Sequence, residues 1–188
     1  MRPSQPRLTP LKPDEWSEEQ QDLLRPVLEG KGLARGVLNV FSTLVRHPKL
    51  YKRWSVFATH VLFKSEIFAR DREMLILRTA RNCGSDYEWG QHESFAREVT
   101  DLSDAEIENI KESKISPAWS ERDGLLLKLA DELHTDHCIS DDTWNSLQAH
   151  LNEMQIMDAI FTVGNYTQLA MALNSLGVQL EEGPPVHD

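Results

Sequence analysis

Apolar residues recur at spacings of three and four positions along most of this 188-residue chain. Such spacing places side chains on one face of an α-helix, whereas a strand requires alternation of period two. The clearest case is 71–83, where Met74, Leu75, Leu77 and Ala80 form one apolar stripe. No convincing strand pattern occurs, so the sequence predicts an all-α protein. The predicted helices are 14–29, 37–47, one from 48 through 61, 71–83, 86–100, 103–112, 120–135, 141–151 and 154–176.

The residues at the helix ends support these bounds. Gly30 and Gly32 follow the first predicted helix, and Pro48 suits the first turn of the third. Candidate capping residues are Asp14, Ser17 with Gln20, and Ser103 with Glu106. Gly84 ends the fourth helix and the fifth begins almost at once, so these two helices should form a tight helical hairpin.

The two ends of the chain differ from the rest. Residues 1–13 contain several prolines and no periodic pattern, which predicts an extended arm, and 181–188 is expected to be a frayed tail. No composition shift marks a domain boundary between them. We therefore expect a single compact helical domain over 1–188.

Candidate chemistry lies at the predicted hairpin. Ser85, Glu88 and His92 are spaced i, i+3 and i+7, so they share one face of the fifth helix. Glu73 precedes Gly84 by about 15 Å of helical rise, which brings it opposite His92 in an antiparallel hairpin. A carboxylate facing an imidazole across a buried seam orients the ring, raises its pKa and forms a proton relay.

The charge and the cysteine content limit the classes of partner and of chemistry that the chain is expected to have. The chain carries 20 Lys and Arg against 30 Asp and Glu, a net charge of −10. An acidic surface repels phosphate groups, which argues against nucleic-acid and anionic-membrane partners. Cys83 and Cys138 form neither a dithiol motif nor a disulfide framework. No signal peptide or membrane-length apolar run is present, which predicts a cytoplasmic protein.

Four segments carry a resemblance to a known family. They are N-C-G-S-D-Y-E-W-G-Q-H from Asn82 to His92, D-E-L-H from Asp131 to His134, I-S-D-D-T-W from Ile139 to Trp144, and V-G-N-Y-T-Q-L-A-M-A-L-N-S-L-G-V from Val163 to Val178. In these segments the chain resembles the carboxymuconolactone decarboxylase-like family, in a branch without paired cysteines. The likeness covers roughly residues 35–180 and implies the all-α alkylhydroperoxidase D-like fold, built around a helical hairpin.

The resemblance also implies which residues act. The alkylhydroperoxidase D group of this family carries Glu, Cys-x-x-Cys and His in the hairpin, and these positions correspond to Glu73, Ser85, Glu88 and His92. Without the two thiols, peroxide reduction by that dithiol is not expected. The founding decarboxylase of the family acts on a small carboxylated lactone without a metal or organic cofactor.

That resemblance therefore implies a cofactor-independent lyase or isomerase for a small carboxylated or lactone-type substrate. Glu73 and His92 are the implied catalytic pair. The residues implied to bind substrate are Ser85, Tyr87, Glu88 and Trp89, with Arg78 or Arg81 as candidates for the substrate anion. Homo-oligomers are also implied, as dimers, trimers or hexamers, and the long apolar helix 154–176 suits either a core or an interface. Tyr166 and Asn174 are polar exceptions within that helix.

Structural alternatives remain for several of these residues. Ser85 with Glu88 matches a helix capping box, which is the favoured interpretation of those two side chains from spacing alone. Glu73 and His92 could instead form an ion pair whose role is to stabilise the packing of the two hairpin helices. Trp89 is expected to be a packing residue. His134 and His137 could ligate a metal with Asp131 and Asp136, although no metal site is predicted.

Two functional alternatives also remain. One is an alkylhydroperoxidase-like or peroxiredoxin-like antioxidant activity that uses Cys83, which the missing C-x-x-C motif disfavours. The other is a non-catalytic binding or assembly module that retains the scaffold.

Overall fold

The computed structural model describes residues 3–29, 37–112 and 119–181. Within these ranges the chain forms nine α-helices and one short 3₁₀ turn, Pro13–Glu15, with no strand. The predicted all-α class is therefore confirmed. The helices are α1 (Glu18–Leu28), α2 (Asn39–Leu44), α3 (Pro48–Phe63), α4 (Ala69–Asn82), α5 (Asp86–Val99), α6 (Asp104–Lys111), α7 (Glu121–Thr135), α8 (Asp141–Leu147) and α9 (Glu153–Leu176).

Most predicted helix ends agree with the structure to within a few residues. The Ser17 hydroxyl accepts a hydrogen bond from the Gln20 amide at the start of α1, and Ser103 does the same for Glu106 in α6. The prediction that Asp14 caps the first helix is wrong, because Asp14 lies in the 3₁₀ turn that precedes α1. Gly30 and Gly32 lie outside the described residues.

The chain divides into two compact units. The first comprises residues 1–58 and 172–188, and its core is built around Leu24, Val45 and Tyr51. The predicted N-terminal arm packs within this unit, where the Arg7 amide donates to the Leu176 carbonyl at 2.8 Å. Gly177 has a φ of +72°, and a Cβ there would lie 2.7 Å from the Gln5 carbonyl oxygen, so only glycine fits beside the arm.

The second unit, residues 59–171, is organised around α4. Every residue from Glu73 to Ala80 is buried, so α4 has no solvent-exposed face over this stretch. Asp71, Glu73 and Arg78 are buried with the apolar residues. Buried charges require partners. The carboxylate of Asp71 pairs with Arg122, and Arg78 pairs with Asp131.

The turn between α4 and α5 confirms the predicted hairpin. The Gly84 amide donates to the Arg81 carbonyl at 3.0 Å, and the Ser85 amide donates to the Ala80 carbonyl at 2.8 Å. These two bonds form a Schellman motif, which requires the left-handed conformation found at Gly84, with φ of +53°. Since α5 begins at Asp86, the side chains of α4 face those of α5 directly.

Among the described residues, none of the helices combines the length and apolar character needed to cross a bilayer. The predicted tail, apart from residue 181, lies outside the described ranges. The expectation of one domain over the whole chain stays a prediction.

Candidate functional site

Glu73 and His92 meet across the helical hairpin. The His92 Nδ1 lies 2.7 Å from the Glu73 Oε2, and the Glu73 side chain is fully buried. Because an ionised carboxylate only accepts hydrogen bonds, Nδ1 carries the proton of this bond. The predicted juxtaposition of these two side chains is therefore present in the structure.

A second contact holds the Glu73 carboxylate in place. The Arg72 Nε donates to the Glu73 Oε1 at 3.1 Å, so each carboxylate oxygen has its own partner. Arg72 is itself mostly buried, with 11% of its side chain exposed. This arrangement fixes the imidazole orientation and leaves the His92 Nε2 as the atom that can exchange a proton.

Glu88 lies on the other side of the imidazole. Its Oε2 is 3.8 Å from the His92 Nε2, and the residue is 3% exposed. Burial raises the pKa of Glu88 from 4.5 to about 7, although the nearby charge of His92 acts in the opposite direction. Three titratable side chains therefore form one row, in the order Glu73, His92 and Glu88.

The capping-box interpretation of Ser85 and Glu88 is wrong. Ser85 is the N-cap residue of α5, but its side chain makes no capping hydrogen bond. The hairpin turn holds Ser85 at ψ of 97°, whereas the N-cap serines Ser17 and Ser103 have ψ of 164° and 156°. The Glu88 carboxylate correspondingly lies toward His92 rather than toward the start of its own helix.

The electrostatics of His92 follow from its two acidic neighbours. Burial alone lowers the pKa of an imidazole, and this is the largest single effect on His92. The charge and hydrogen bond of Glu73, together with the charge of Glu88, outweigh that effect and raise the pKa of His92 above 6.5. The ring is therefore stabilised as imidazolium between two carboxyl groups.

Tyr166 and Arg72 are site residues that the sequence did not assign. The Tyr166 ring packs edge-on against His92, with centroids 4.9 Å apart at 89°. Burial, followed by the charges of Glu88 and Glu73, raises the pKa of Tyr166 well above 10, so the phenol keeps its proton. The available signal for Tyr166 was a polar side chain within the apolar 154–176 helix; no comparable signal marked Arg72.

Tyr87 and Trp89 lie in the first turns of α5, on either side of Glu88 in the sequence. Tyr87 is 4% exposed. Trp89 packs against the cluster that includes Met74 and Leu77, and its indole Nε1 donates to the Glu93 Oε2 at 3.2 Å. Trp89 is therefore a packing residue, as expected, and it also lines a pocket.

That pocket lies at the N-terminal end of α5 and has a volume of about 250 Å³. Hereafter it is called the α5 pocket, and its lining residues are Ala80, Arg81, Gly84, Ser85, Asp86, Trp89 and Lys111. Ser85 belongs both to this lining and to the helix face that carries Glu88 and His92. Of the two arginines considered for an anion, Arg81 lines the pocket.

Arg78, unlike Arg81, is not among the residues that line the pocket, and its side chain is buried. Its guanidinium donates to both carboxylate oxygens of Asp131, at 2.7 and 2.6 Å, and to the Ile110 carbonyl at 3.2 Å. The Asn82 amide also donates to Asp131, at 2.8 Å. The first residue of the D-E-L-H segment is therefore a structural partner of α4, and His134 lies 3.9 Å from the Cys83 sulfur. Within the described ranges no cluster of His, Cys, Asp and Glu has the arrangement of a metal site.

Comparison with known proteins identifies the fold. No family model and no curated protein matches the chain. An alkylhydroperoxidase D core protein from Ralstonia eutropha JMP134, described as peroxidase-related and uncharacterized, superposes with a TM-score of 0.79 at 16% identity, covering 93% of each chain. A peroxidase-related protein from Silicibacter sp. TM1040 gives the same TM-score and identity, covering 97% of this chain and 95% of its own.

A third similar structure is an enzyme. A debrominase in complex with 2,3,4-tribromopyrrole superposes with a TM-score of 0.76 at 16% identity, covering 93% of this chain and 91% of its own. Likeness at this identity concerns the fold, and the same fold carries different chemistry in different proteins. The chain therefore has the alkylhydroperoxidase D-like fold that its resemblance to the carboxymuconolactone decarboxylase-like family implies.

Proposed function

We propose that this chain is a cofactor-independent lyase or isomerase that acts on a small carboxylated or lactone-type molecule. Glu73, His92 and Glu88 are its proton-transfer groups. The observation that carries the proposal is the row of three side chains, in which the His92 imidazole lies between two buried carboxyl groups. Efficient general acid–base catalysis needs a pKa near the working pH, and the pKa of Glu88 is about 7.

We assign the three groups different roles from their positions. Glu73 holds the Nδ1 proton of His92 and stabilises the imidazolium form. Proton transfer then occurs on the Nε2 side, where Glu88 lies. At neutral pH, Glu88 is present in both protonation states, so it can donate or accept a proton without a large free-energy penalty.

For a lyase reaction the bond changes balance without a redox partner. The carbon–carbon bond to the substrate carboxylate breaks, carbon dioxide leaves, and the bonding electron pair moves into the conjugated carbonyl as an enolate. A proton from the Glu88 carboxyl group then adds to the enolate carbon, and His92 resupplies Glu88. For an isomerase reaction the same groups remove a proton from one carbon and return it to another.

The test is a set of single variants assayed on a panel of small carboxylated lactones. Carbon dioxide release measures decarboxylation, and NMR in D₂O measures incorporation of solvent deuterium at carbon. We expect His92→Gln, Glu73→Gln and Glu88→Gln each to lower turnover strongly. The matched control is His60→Gln, because His60 is a half-exposed histidine that pairs with Asp158.

Two results would contradict the proposed function. One is equal turnover in the wild type and the His92→Gln variant on a substrate that the wild type converts. The other is an equal loss in His60→Gln, which would show that the substitution acts through general destabilisation.

The alternative activity is peroxide reduction through Cys83. Cys83 is half-buried, and its sulfur lies 3.9 Å from both the His134 Nδ1 and the Thr167 Oγ1. A thiol titration after peroxide treatment separates this alternative from the proposed function. Rapid, stoichiometric loss of the Cys83 thiol, with turnover of peroxide in the presence of a thiol reductant, would support the alternative.

The proposal includes a cytoplasmic homo-oligomer of two, three or six copies. Several large apolar side chains of α9 are more than half exposed in the single chain: Met154, Met157, Phe161 and Met171. Light scattering measures the mass directly. A mass near 21.5 kDa, that of one chain, would contradict the oligomer.

A further inference from the structure

One line of residues along α9 is exposed over most of the length of the helix. Between 154 and 171 every exposed position lies three or four residues from the next, in strict alternation. This spacing places the positions in a single line and is typical of a helix seam that packs against another helix. The six positions form the α9 column: Met154, Met157, Phe161, Gly164, Gln168 and Met171.

The composition of the α9 column differs from that of an ordinary solvated helix face. It contains no charged residue, although 27% of the chain is charged. Methionine and aromatic residues are enriched in protein–protein interfaces, whereas Lys, Glu and Asp are depleted there. Its four large apolar members are each more than half exposed, namely Met154, Met157, Phe161 and Met171. The column therefore has the composition of an interface.

Gly164, near the middle of the column, is not required by the packing of the single chain. A Cβ atom at this position would meet no heavy atom within 4 Å among the described residues, so alanine would fit. Its backbone is helical and its φ is not positive, so a left-handed conformation does not require glycine either. Glycine within a helix is less stable than alanine. A missing side chain on an exposed helix face instead allows a second helix to approach closely.

The α9 column is complementary to a second copy of itself. Its spacings are the same when read from either end, so two antiparallel copies related by a two-fold axis bring each position opposite another. Phe161 then faces the partner's Gly164, and Met154 faces the partner's Met171. A parallel pair would place Phe161 against the partner's Phe161 and leave a gap at Gly164, which packs less well.

The charges beside the column do not suit a lipid surface. Glu153 and Asp158 are the charged residues of α9, and both are acidic. Asp158 is also paired with His60. A helix that binds an anionic membrane carries Lys and Arg beside its apolar face. A second copy of the chain is therefore the occupant that the column fits.

We propose that two copies of this chain associate through their α9 columns as an antiparallel pair, with Phe161 of each copy packed over the partner's Gly164. This inference rests on the oligomer included in the proposed function and names its contact surface, symmetry and register. A two-fold contact uses the same surface on both copies, so this contact alone closes at two. Of the two, three or six copies considered, it allows two or six and excludes three. Tyr166 is buried on another face of α9, where it packs against His92, so the pair leaves that contact intact.

Disulfide cross-linking tests the register. The background is the full chain with Cys83→Ser and Cys138→Ser, which removes both free thiols. In this background we expect the double variant Met154→Cys with Met171→Cys to form a covalent dimer under mild oxidation. The two new thiols of one chain lie about 25 Å apart along the helix, too far for a disulfide within the chain. The matched controls are the two single variants, Met154→Cys and Met171→Cys, which should stay monomeric on denaturing gels.

A bulky residue at Gly164 tests the close approach. Gly164→Leu should weaken association about a hundredfold in sedimentation equilibrium, because the added side chain separates the two helices. Asn145→Leu is the matched control, since it places the same side chain at an exposed position on α8. Gly164→Ala is the milder variant: it should raise the urea midpoint of the isolated chain and still weaken association. These opposite directions are not expected of a purely structural glycine.

The wild-type mass and the variants each decide the proposal. A mass of one chain, 21.5 kDa, or of three chains would overturn it. Covalent dimers of either single-cysteine variant, or equal dissociation by Gly164→Leu and Asn145→Leu, would also overturn it. A His92→Gln variant that stays paired without loss of turnover would reject the proposed chemistry and leave the pair intact. A monomeric wild type whose turnover requires His92 would reject the pair and leave the chemistry intact.

Discussion

The Glu88→Gln substitution should change how stability depends on pH. Glu88 is 3% exposed, and its pKa is raised to about 7 because burial disfavours the ionised carboxylate. Glutamine is nearly isosteric with the protonated carboxyl group and does not ionise. The variant therefore removes one titration from the folded state and keeps the shape of the side chain.

The sign and size of the effect follow from the two pKa values. The folded state holds the Glu88 proton up to about pH 7, whereas the unfolded chain releases it near 4.5. Between these values the folded state binds more protons, so the free energy of unfolding falls as the pH rises. The loss is about 1.4 kcal/mol per pH unit and about 3 kcal/mol in total, complete above pH 7.

Urea unfolding of the wild type and the variant from pH 4.5 to 8.5 measures this difference. We expect the stability of Glu88→Gln to rise relative to the wild type across that range and to level off above pH 7. Glu93→Gln is the control on the same helix, since Glu93 is partly exposed and pairs with Arg97. Parallel curves for the wild type and Glu88→Gln would refute the reasoning that burial controls this carboxyl group.

Three further predictions concern the relay, the buried ion pair and the thiol. Glu73→Gln or His92→Gln should lower kcat about 10²- to 10⁴-fold in steady-state assays, and a kcat equal to that of the wild type would contradict their role. Arg78→Met should lower the free energy of unfolding by about 3 kcal/mol in urea, because Asp131 loses a bidentate partner; a change below about 1 kcal/mol would contradict this. Cys83→Ser should leave lactone turnover unchanged, and a marked fall in kcat would indicate that the thiol takes part.

Local sequence rules predicted the helices well because their signals are short in range. Apolar spacing identified α4 and α5, and Gly84 marked the turn between them because a Schellman motif needs a left-handed residue. Once the hairpin is fixed, the spacing from Glu73 to His92 determines that they meet. This is why the sequence could predict one contact between side chains 19 positions apart.

The same rules failed where tertiary structure overrides local preference. Ser85 and Glu88 have the spacing of a capping box, and sequence alone favours a cap. In the structure the hairpin constrains the Ser85 backbone, and burial beside His92 determines the position of Glu88. Tyr166 reaches the site from α9, and no periodicity within α9 indicates which residue of α5 it will face.

The proposed acid–base chemistry depends on the residues that occupy the two cysteine positions, Ser85 and Glu88. The resemblance places them at the two positions that carry cysteines in the alkylhydroperoxidase D group. A thiol pair exchanges electrons, whereas a carboxyl group exchanges only protons, so the function proposed above assigns acid–base chemistry to these positions. Burial then raises the pKa of Glu88 to about 7, which an exposed glutamate would not have. In the proposed function, the contact between Glu73 and His92 makes the imidazole the proton source for that carboxyl group.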